Sequence, residues 1–183
     1  MTGRPRPRRL RRGPVLAARK VADPPRRAVR VGRVGVADTT FARVDMAGAA
    51  IDALSKSGYP VVVERYTVPG MKDLALACQI LLQKRDCDLA LALGWVGGHD
   101  IDETCAHEAN LALQWAELAC GKHILKVFVH ERETGDPSEL ARIALDRARE
   151  HALNAAWLLF DPERLTKLAG TGQRQGGPDV GPL

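Results

Sequence analysis

The feature that most constrains the fold is a repeated pairing of a short apolar run with a longer amphipathic stretch. The apolar runs are rich in β-branched residues, which is typical of parallel strands buried on both faces. This alternation predicts an α/β fold, a three-layer α/β/α sandwich around a four-stranded parallel sheet. The predicted strands are 33–38, 61–66, 88–93 and 124–130, and the predicted helices are 44–57, 71–85, 102–120 and 137–159.

The two ends of the chain differ in composition from this alternating region. Residues 1–30 carry eleven Lys and Arg side chains and one Asp, whereas the rest carries 16 basic and 21 acidic side chains. We therefore predict a basic, disordered extension over 1–30, an α/β domain over 31–162 and an irregular C-terminal segment over 163–183. For the extension, a translation start placed too early, an Arg-rich transit peptide and an electrostatic arm for RNA or an acidic surface stay open.

Charge, hydropathy and cysteine spacing exclude several classes of protein. The net negative charge beyond the extension argues against nucleic-acid binding by the domain. No apolar run approaches the roughly 20 residues of a membrane span, and we expect a cytoplasmic protein without membrane contact. The four cysteines show no CxxC spacing, which favours reduced thiols, with Cys78 and Cys120 packed on apolar helix faces.

Polar and glycine-containing segments follow the predicted strands, at the edge where α/β folds bind ligands. In residues 38–43, hydroxyls and backbone N–H groups at a helix start can hold a polar group, and Phe41 can stack on a flat heterocycle. Residues 67–70 form a turn, and residues 94–99 form a loop, whose glycines let the backbone approach a ligand closely. The structural alternatives are a Thr helix cap with Phe41 in the core, an ordinary turn and a surface loop.

Two histidines occupy positions suited to proton transfer near neutral pH. His130 ends the fourth predicted strand, at the same edge as the three loops, and Glu131 follows it directly. His107 and Glu108 lie within the third predicted helix. The alternatives are a loop His–Glu pair for the first and a surface residue for the second. Because neither HxxxH nor HExxH occurs here, no metal site is expected.

Six segments in order form a pattern more specific than any one of them. They read DTTFARVDMA at 38–47, TVPGMKDL at 67–74, CAHEA at 105–109, VFVHE at 127–131, LTKLAG at 165–170 and RQG at 174–176. Together they resemble archaeal-type riboflavin synthase over about residues 31–182, a family related to lumazine synthase. Residues 95–99 depart from the Met-Pro-Gly-like run that the family usually has there.

The resemblance implies a lumazine synthase-like, flavodoxin-like fold assembled as a homopentamer with active sites between subunits. It also implies a dismutation in which two 6,7-dimethyl-8-ribityllumazine molecules exchange a four-carbon unit. The products are riboflavin and 5-amino-6-(ribitylamino)pyrimidinedione. No cofactor is expected, with a divalent cation such as magnesium left open. Lumazine synthase and a non-enzymatic flavin- or lumazine-binding protein are the alternatives.

The same resemblance, read with the residues above, assigns roles to particular positions. We expect His130 and His107 to transfer or orient protons, with Glu131 and Glu108 as their supports. The expected substrate-binding residues are Thr39, Thr40, Phe41, Arg43, Val68, Pro69, Gly70, Asp73, Gly94 and Gly97.

Overall fold

A four-stranded parallel sheet lies at the centre of the computed structural model, which describes residues 30–183. The strands are β1 (Gly32–Thr39), β2 (Val61–Val68), β3 (Leu89–Val96) and β4 (Ile124–His130). β1 pairs with both β2 and β3, and β4 pairs with β3, so the order across the sheet is β2-β1-β3-β4. The predicted parallel sheet is therefore confirmed.

Helices cover both faces of this sheet, which gives the predicted α/β/α sandwich. They are α1 (Met46–Lys56), α2 (Leu74–Gln83), α3 (Asp100–Cys120), α4 (Pro137–Phe160) and α5 (Pro162–Leu168). α1 and α4 pack on one face of the sheet, and α2 and α3 pack on the other. The four predicted helices correspond to α1–α4, with ends shifted by three residues or fewer.

Strand β3 is buried along its whole length and serves both helical layers. Leu89, Leu91 and Leu93 belong to the apolar cluster under α1 and α4, whereas Ala90 and Ala92 belong to the cluster under α2 and α3. This alternation follows from the strand geometry, in which successive side chains point to opposite faces. The large side chains fill the first core, and the small ones leave room for the side chains of α2 and α3.

β2 and β3 end two and three residues later than predicted, at Val68 and Val96. Gly94 therefore lies inside β3, and the prediction that it belongs to a ligand-binding loop is wrong. A Cβ atom at Gly94 would lie 2.7 Å from the ring of Phe128, so the glycine serves the packing of β3 beside β4. Val68 likewise closes a strand, which leaves Pro69 and Gly70 to form the turn.

The C-terminal segment is wrongly predicted to be irregular from residue 163, because α5 occupies its first part. Pro162 takes the first position of this helix, and the Asp161 side chain accepts a hydrogen bond from the Arg164 backbone N–H. The proline therefore starts a second helix rather than merely following the first. Residues 169–183 contain neither helix nor strand. The disordered extension predicted for residues 1–30 lies, apart from Arg30, outside the described residues.

The four cysteines are free thiols, as the sequence predicts. Cys78 on α2 is buried in the second apolar cluster, and Cys120 at the end of α3 packs against it partly buried. Burial, together with the neighbouring Cys120, raises the pKa of the Cys78 thiol to about 12, which keeps it protonated and unreactive. None of the helices among residues 30–183 is long and apolar enough to cross a membrane.

Candidate active site

The carboxyl ends of the four strands bring the predicted segments together at one edge of the sheet. The register sets Thr39 of β1 beside Val68 of β2, and Val96 of β3 beside His130 of β4. The first two loops are also joined directly, since the Thr40 backbone N–H donates to the Val68 carbonyl at 3.0 Å. The segments singled out in the sequence therefore share one surface.

One cavity at this edge is lined by all of the three loops, and we call it the Phe41 cavity. Its volume is about 440 Å³, and its lining residues are Phe41, Pro69, Gly70, Met71, Lys72, Asp73, Gly97, Asp102 and Cys105. Phe41 is 54% exposed, so the alternative that it packs in the core is wrong. The cavity thus presents an accessible aromatic ring beside the backbone of a turn, which suits a flat heterocyclic ligand.

A second, polar cavity of about 480 Å³ opens between the ends of β1 and β2 and the start of α1. Asp38 is buried there and accepts hydrogen bonds from Arg65 Nη2 at 2.5 Å and from the Thr67 hydroxyl at 2.6 Å. Three predicted substrate-binding residues line this cavity rather than the Phe41 cavity, namely Thr39, Thr40 and Arg43. Neither threonine caps α1, because Asp45 accepts the capping bond from the Gly48 N–H.

His130 has a carboxylate partner that the sequence analysis missed. Its Nδ1 lies 2.9 and 3.1 Å from the two carboxylate oxygens of Glu103, in the first turn of α3. An imidazole protonated at Nδ1 donates to this carboxylate, which fixes the ring and leaves Nε2 to exchange a proton. Glu103 is 27 residues away in the sequence and belongs to no motif, so only the packing of α3 beside β4 reveals it.

The prediction that Glu131 supports His130 is wrong, because the two side chains contact different layers of the fold. Val129 of β4 faces α1 and α4, whereas Phe128 faces α2 and α3. His130, the last residue of β4, continues this alternation and faces the α3 side, which also holds the Phe41 cavity. Glu131 lies beyond the strand, in a short 3-10 turn, and its carboxylate reaches Trp95 of the first apolar cluster. The two side chains therefore point apart although they are adjacent in the chain.

Glu131 is instead held by groups from two other segments of the edge. Its Oε1 accepts hydrogen bonds from the indole Nε1–H of Trp95 at 2.9 Å and from Arg43 Nη1 at 3.2 Å. The other carboxylate oxygen, Oε2, lies 3.6 Å from the position that a Cβ atom of Gly98 would take, so the Gly98 backbone is close to it. The Trp95 bond, with a further contribution from Arg43, lowers the pKa of Glu131.

His107 and Glu108 lie on the outer side of α3, both exposed. The Glu108 carboxylate pairs with Lys72 Nζ at 2.6 Å, and this hydrogen bond lowers the pKa of Glu108. Glu108 therefore pairs with a lysine that lines the Phe41 cavity, and its predicted support of His107 stays a prediction. His107 stands four residues after Glu103 and so shares its helix face. Within residues 30–183, no cluster of three or more His, Cys, Asp or Glu side chains is arranged to hold a metal ion.

Comparison with known proteins identifies relatives along nearly the whole described chain. Residues 32–160 match the family model of 6,7-dimethyl-8-ribityllumazine synthase. The riboflavin synthase of Methanothermobacter marburgensis is 52% identical over 151 residues, which cover 82% of this chain and 99% of that protein. Those of Archaeoglobus fulgidus and Aeropyrum pernix are each 48% identical, covering 82% of this chain and 98% and 97% of their own lengths.

The lowered pKa of Glu131 predicts a pH-dependent contribution to stability. A carboxylate whose pKa falls on folding stabilises the native state above its unfolded pKa, and this is lost as the pH falls through the folded pKa. We expect Glu131→Gln to lower the free energy of unfolding by about 1–2 kcal/mol at pH 7. The difference from the unsubstituted protein should shrink below about pH 4.5.

Urea denaturation at several pH values measures this effect. Glu163→Gln, which changes an exposed carboxylate on α5, is the matched control and should change the free energy of unfolding less at pH 7. A gap between Glu131→Gln and the unsubstituted protein that is equal at pH 7 and pH 3.5 would contradict the assignment.

Proposed function

The chain belongs to the 6,7-dimethyl-8-ribityllumazine synthase family, in its archaeal-type riboflavin synthase branch, and from this premise we propose that it makes riboflavin. Two molecules of 6,7-dimethyl-8-ribityllumazine exchange a four-carbon unit, which makes the enzyme a transferase. One becomes riboflavin and the other becomes 5-amino-6-(ribitylamino)pyrimidinedione. The observation that carries this proposal is the exposed Phe41 ring over a cavity built by three loops, in a chain that matches archaeal riboflavin synthases over nearly their full length.

The Phe41 cavity supplies binding for the flat lumazine ring. Phe41 can stack on one face of the ring, while the turn at Pro69 and Gly70 brings backbone close to its edge. Gly70 has no other atom within 4 Å of the position a Cβ would take, so a ligand can approach it. The hydroxyls of the ribityl chain suit the backbone polar groups of the same turn.

The proposed chemistry asks little of the protein beyond orientation and proton transfer. The C7 methyl group of a lumazine is acidic, because the conjugated ring delocalises the carbanion. His130 faces the side of the sheet that holds the Phe41 cavity, and Glu103 fixes its ring. We therefore assign His130 to proton transfer, with Glu103 in the orienting role first given to Glu131. His107 remains part of the proposal only as an exposed side chain on the same face of α3 as Glu103.

We propose a homopentamer with active sites between subunits. α3 displays a stripe of exposed apolar side chains at helical spacing, formed by Leu111, Trp115 and Leu118, of which the last two are 75% and 78% exposed. Contiguous apolar surface of this kind marks an association site. A neighbouring subunit on this helix would also stand close to the Phe41 cavity, since α3 contributes Asp102 and Cys105 to its lining.

Cofactor and location complete the proposal. The dismutation as written balances without a resident cofactor, and adding EDTA or magnesium to the assay below tests for a divalent cation. A cytoplasmic location agrees with the four free cysteines, since reduced thiols are usual in that compartment. Nucleic acid and membranes have no part in the proposed reaction.

Incubation of the purified protein with 6,7-dimethyl-8-ribityllumazine alone tests the reaction. We expect riboflavin and the pyrimidinedione to form in equal amounts, because each turnover moves one four-carbon unit between two identical substrates. Chromatography with absorbance detection measures both products. Lumazine formation from the pyrimidinedione and a four-carbon sugar phosphate would instead indicate a lumazine synthase. Tight flavin binding without turnover would indicate a carrier.

Phe41→Ala tests the stacking role of the aromatic ring. We expect the KM for lumazine to rise by about tenfold, since a stacked aromatic contributes on the order of 1–3 kcal/mol. Thermal stability should change little, because the Phe41 side chain is half exposed. Phe41→Tyr keeps the ring and should retain a KM close to that of the unsubstituted protein. An unchanged KM in Phe41→Ala would remove Phe41 from the substrate site.

Leu118→Asp tests the proposed assembly. We expect the unsubstituted protein to sediment with a mass of about five 19.9-kDa chains, and Leu118→Asp to sediment as smaller, inactive species. Val180→Asp changes an apolar residue of similar exposure, 69%, outside α3 and should leave the assembly intact. Sedimentation velocity gives the masses. A monomeric but fully active protein would contradict sites shared between subunits.

A further inference from the structure

Trp95 is a buried tryptophan whose single polar atom is engaged at the edge of the candidate site. Its side chain is 2% exposed and belongs to the apolar cluster under α1 and α4. Its Nε1–H donates to Glu131 Oε1 at 2.9 Å. A buried indole N–H without an acceptor would be costly, so this bond fixes both the ring and the carboxylate.

Glu131 contacts two segments that line the Phe41 cavity, the Phe41 loop and the Gly97 loop. It does so from the other face of the sheet. The oxygen that accepts from Trp95 also accepts from Arg43, two residues after Phe41. The Oε2 of Glu131 lies close to the backbone of Gly98, which follows Gly97, a lining residue of the cavity. One carboxylate therefore contacts two of the three loops.

Of the groups that hold this carboxylate, Trp95 is the most firmly placed. Arg43 approaches it from the surface with a side chain that is 63% exposed, so the position of the guanidinium depends on where the carboxylate is held. The indole is instead buried against the first apolar cluster, and its edge faces a cavity of about 400 Å³ that Arg43 and Glu131 also line. The position of Glu131, and with it that of Arg43, thus follows from the packing of Trp95.

We propose that Trp95 is a positioning residue for the substrate, which acts through Glu131 to hold the Phe41 loop and the Gly97 loop at the spacing that the lumazine ring requires. This inference rests on the proposed function for its substrate. Trp95 itself touches no reacting atom and takes no part in proton transfer.

The experiment compares Trp95→Phe with Trp157→Phe in the full-length protein. The first removes the N–H donor and keeps an aromatic ring in the core. The second makes the same change on α4, where the indole lies under Arg164 and away from the site. We expect the KM for lumazine to rise about three- to tenfold in Trp95→Phe, with kcat within about twofold, because ring placement is lost while the reacting groups stay. Trp157→Phe should match the unsubstituted protein in both constants.

Glu131→Ala supplies a second variant, which removes the acceptor of the Trp95 N–H together with the partner of Arg43. If Trp95 acts through Glu131, adding Trp95→Phe to Glu131→Ala raises the KM no further, as expected for two residues of one chain of contacts. Additive effects of the two changes would overturn the proposal. So would a KM in Trp95→Phe equal to that of the unsubstituted protein.

Limited trypsin cleavage after Arg43, followed by mass spectrometry, separates this inference from the proposed function because it needs no substrate. We expect cleavage in the native protein to be several-fold faster in Trp95→Phe and in Glu131→Ala than in Trp157→Phe. Equal cleavage rates would overturn the positioning role even if lumazine is turned over. Faster cleavage in a protein that makes no riboflavin would support the effect of Trp95 on the Phe41 loop and contradict the proposed substrate.

Discussion

Parallel pairing of β1 with both β2 and β3 is the constraint on which the candidate site depends. The register places the carboxyl ends of the strands at one edge, so loops that are far apart in sequence form a common wall. A slip of β3 by one residue would exchange Leu91 and Leu93 with the alanines of the opposite face. Because both faces of β3 are buried, neither core could accept that exchange. The packing of the sheet thereby fixes the position of the loops.

The fold was predictable because it follows from local patterns, namely short apolar runs, helix-length spacing and turn residues. Phe41 and the Pro69 turn were predictable for the same reason, since each follows a strand directly. The interactions between segments were not predictable, because nothing in the sequence near His130 indicates that Glu103, on another element, is its partner. The prediction for Gly94 was wrong because the sequence does not distinguish a glycine required by strand packing from one that shapes a loop.

His130 and Glu131, which are adjacent in the sequence, contact different helical layers at the end of β4. His130 faces the layer of α2 and α3, where the Phe41 cavity and Glu103 lie. Glu131 faces the layer of α1 and α4, where it meets Trp95 and Arg43. The two side chains are thus neighbours in the chain but contact different groups. Because Glu131 lies in the turn after β4, its contacts with Trp95 and Arg43 could not be inferred from the pattern of the strand.

The proposed dismutation requires a cavity that is open on one side. Two identical molecules must meet face to face in different roles, so one subunit surface that enclosed a single lumazine would exclude the second. A flat ring stacked on the half-exposed Phe41 in this cavity would keep its other side open. The exposed apolar stripe lies further along α3, the helix whose first turns line the cavity. A neighbour that covers the stripe would therefore enclose the substrates by the same contact that holds the assembly together.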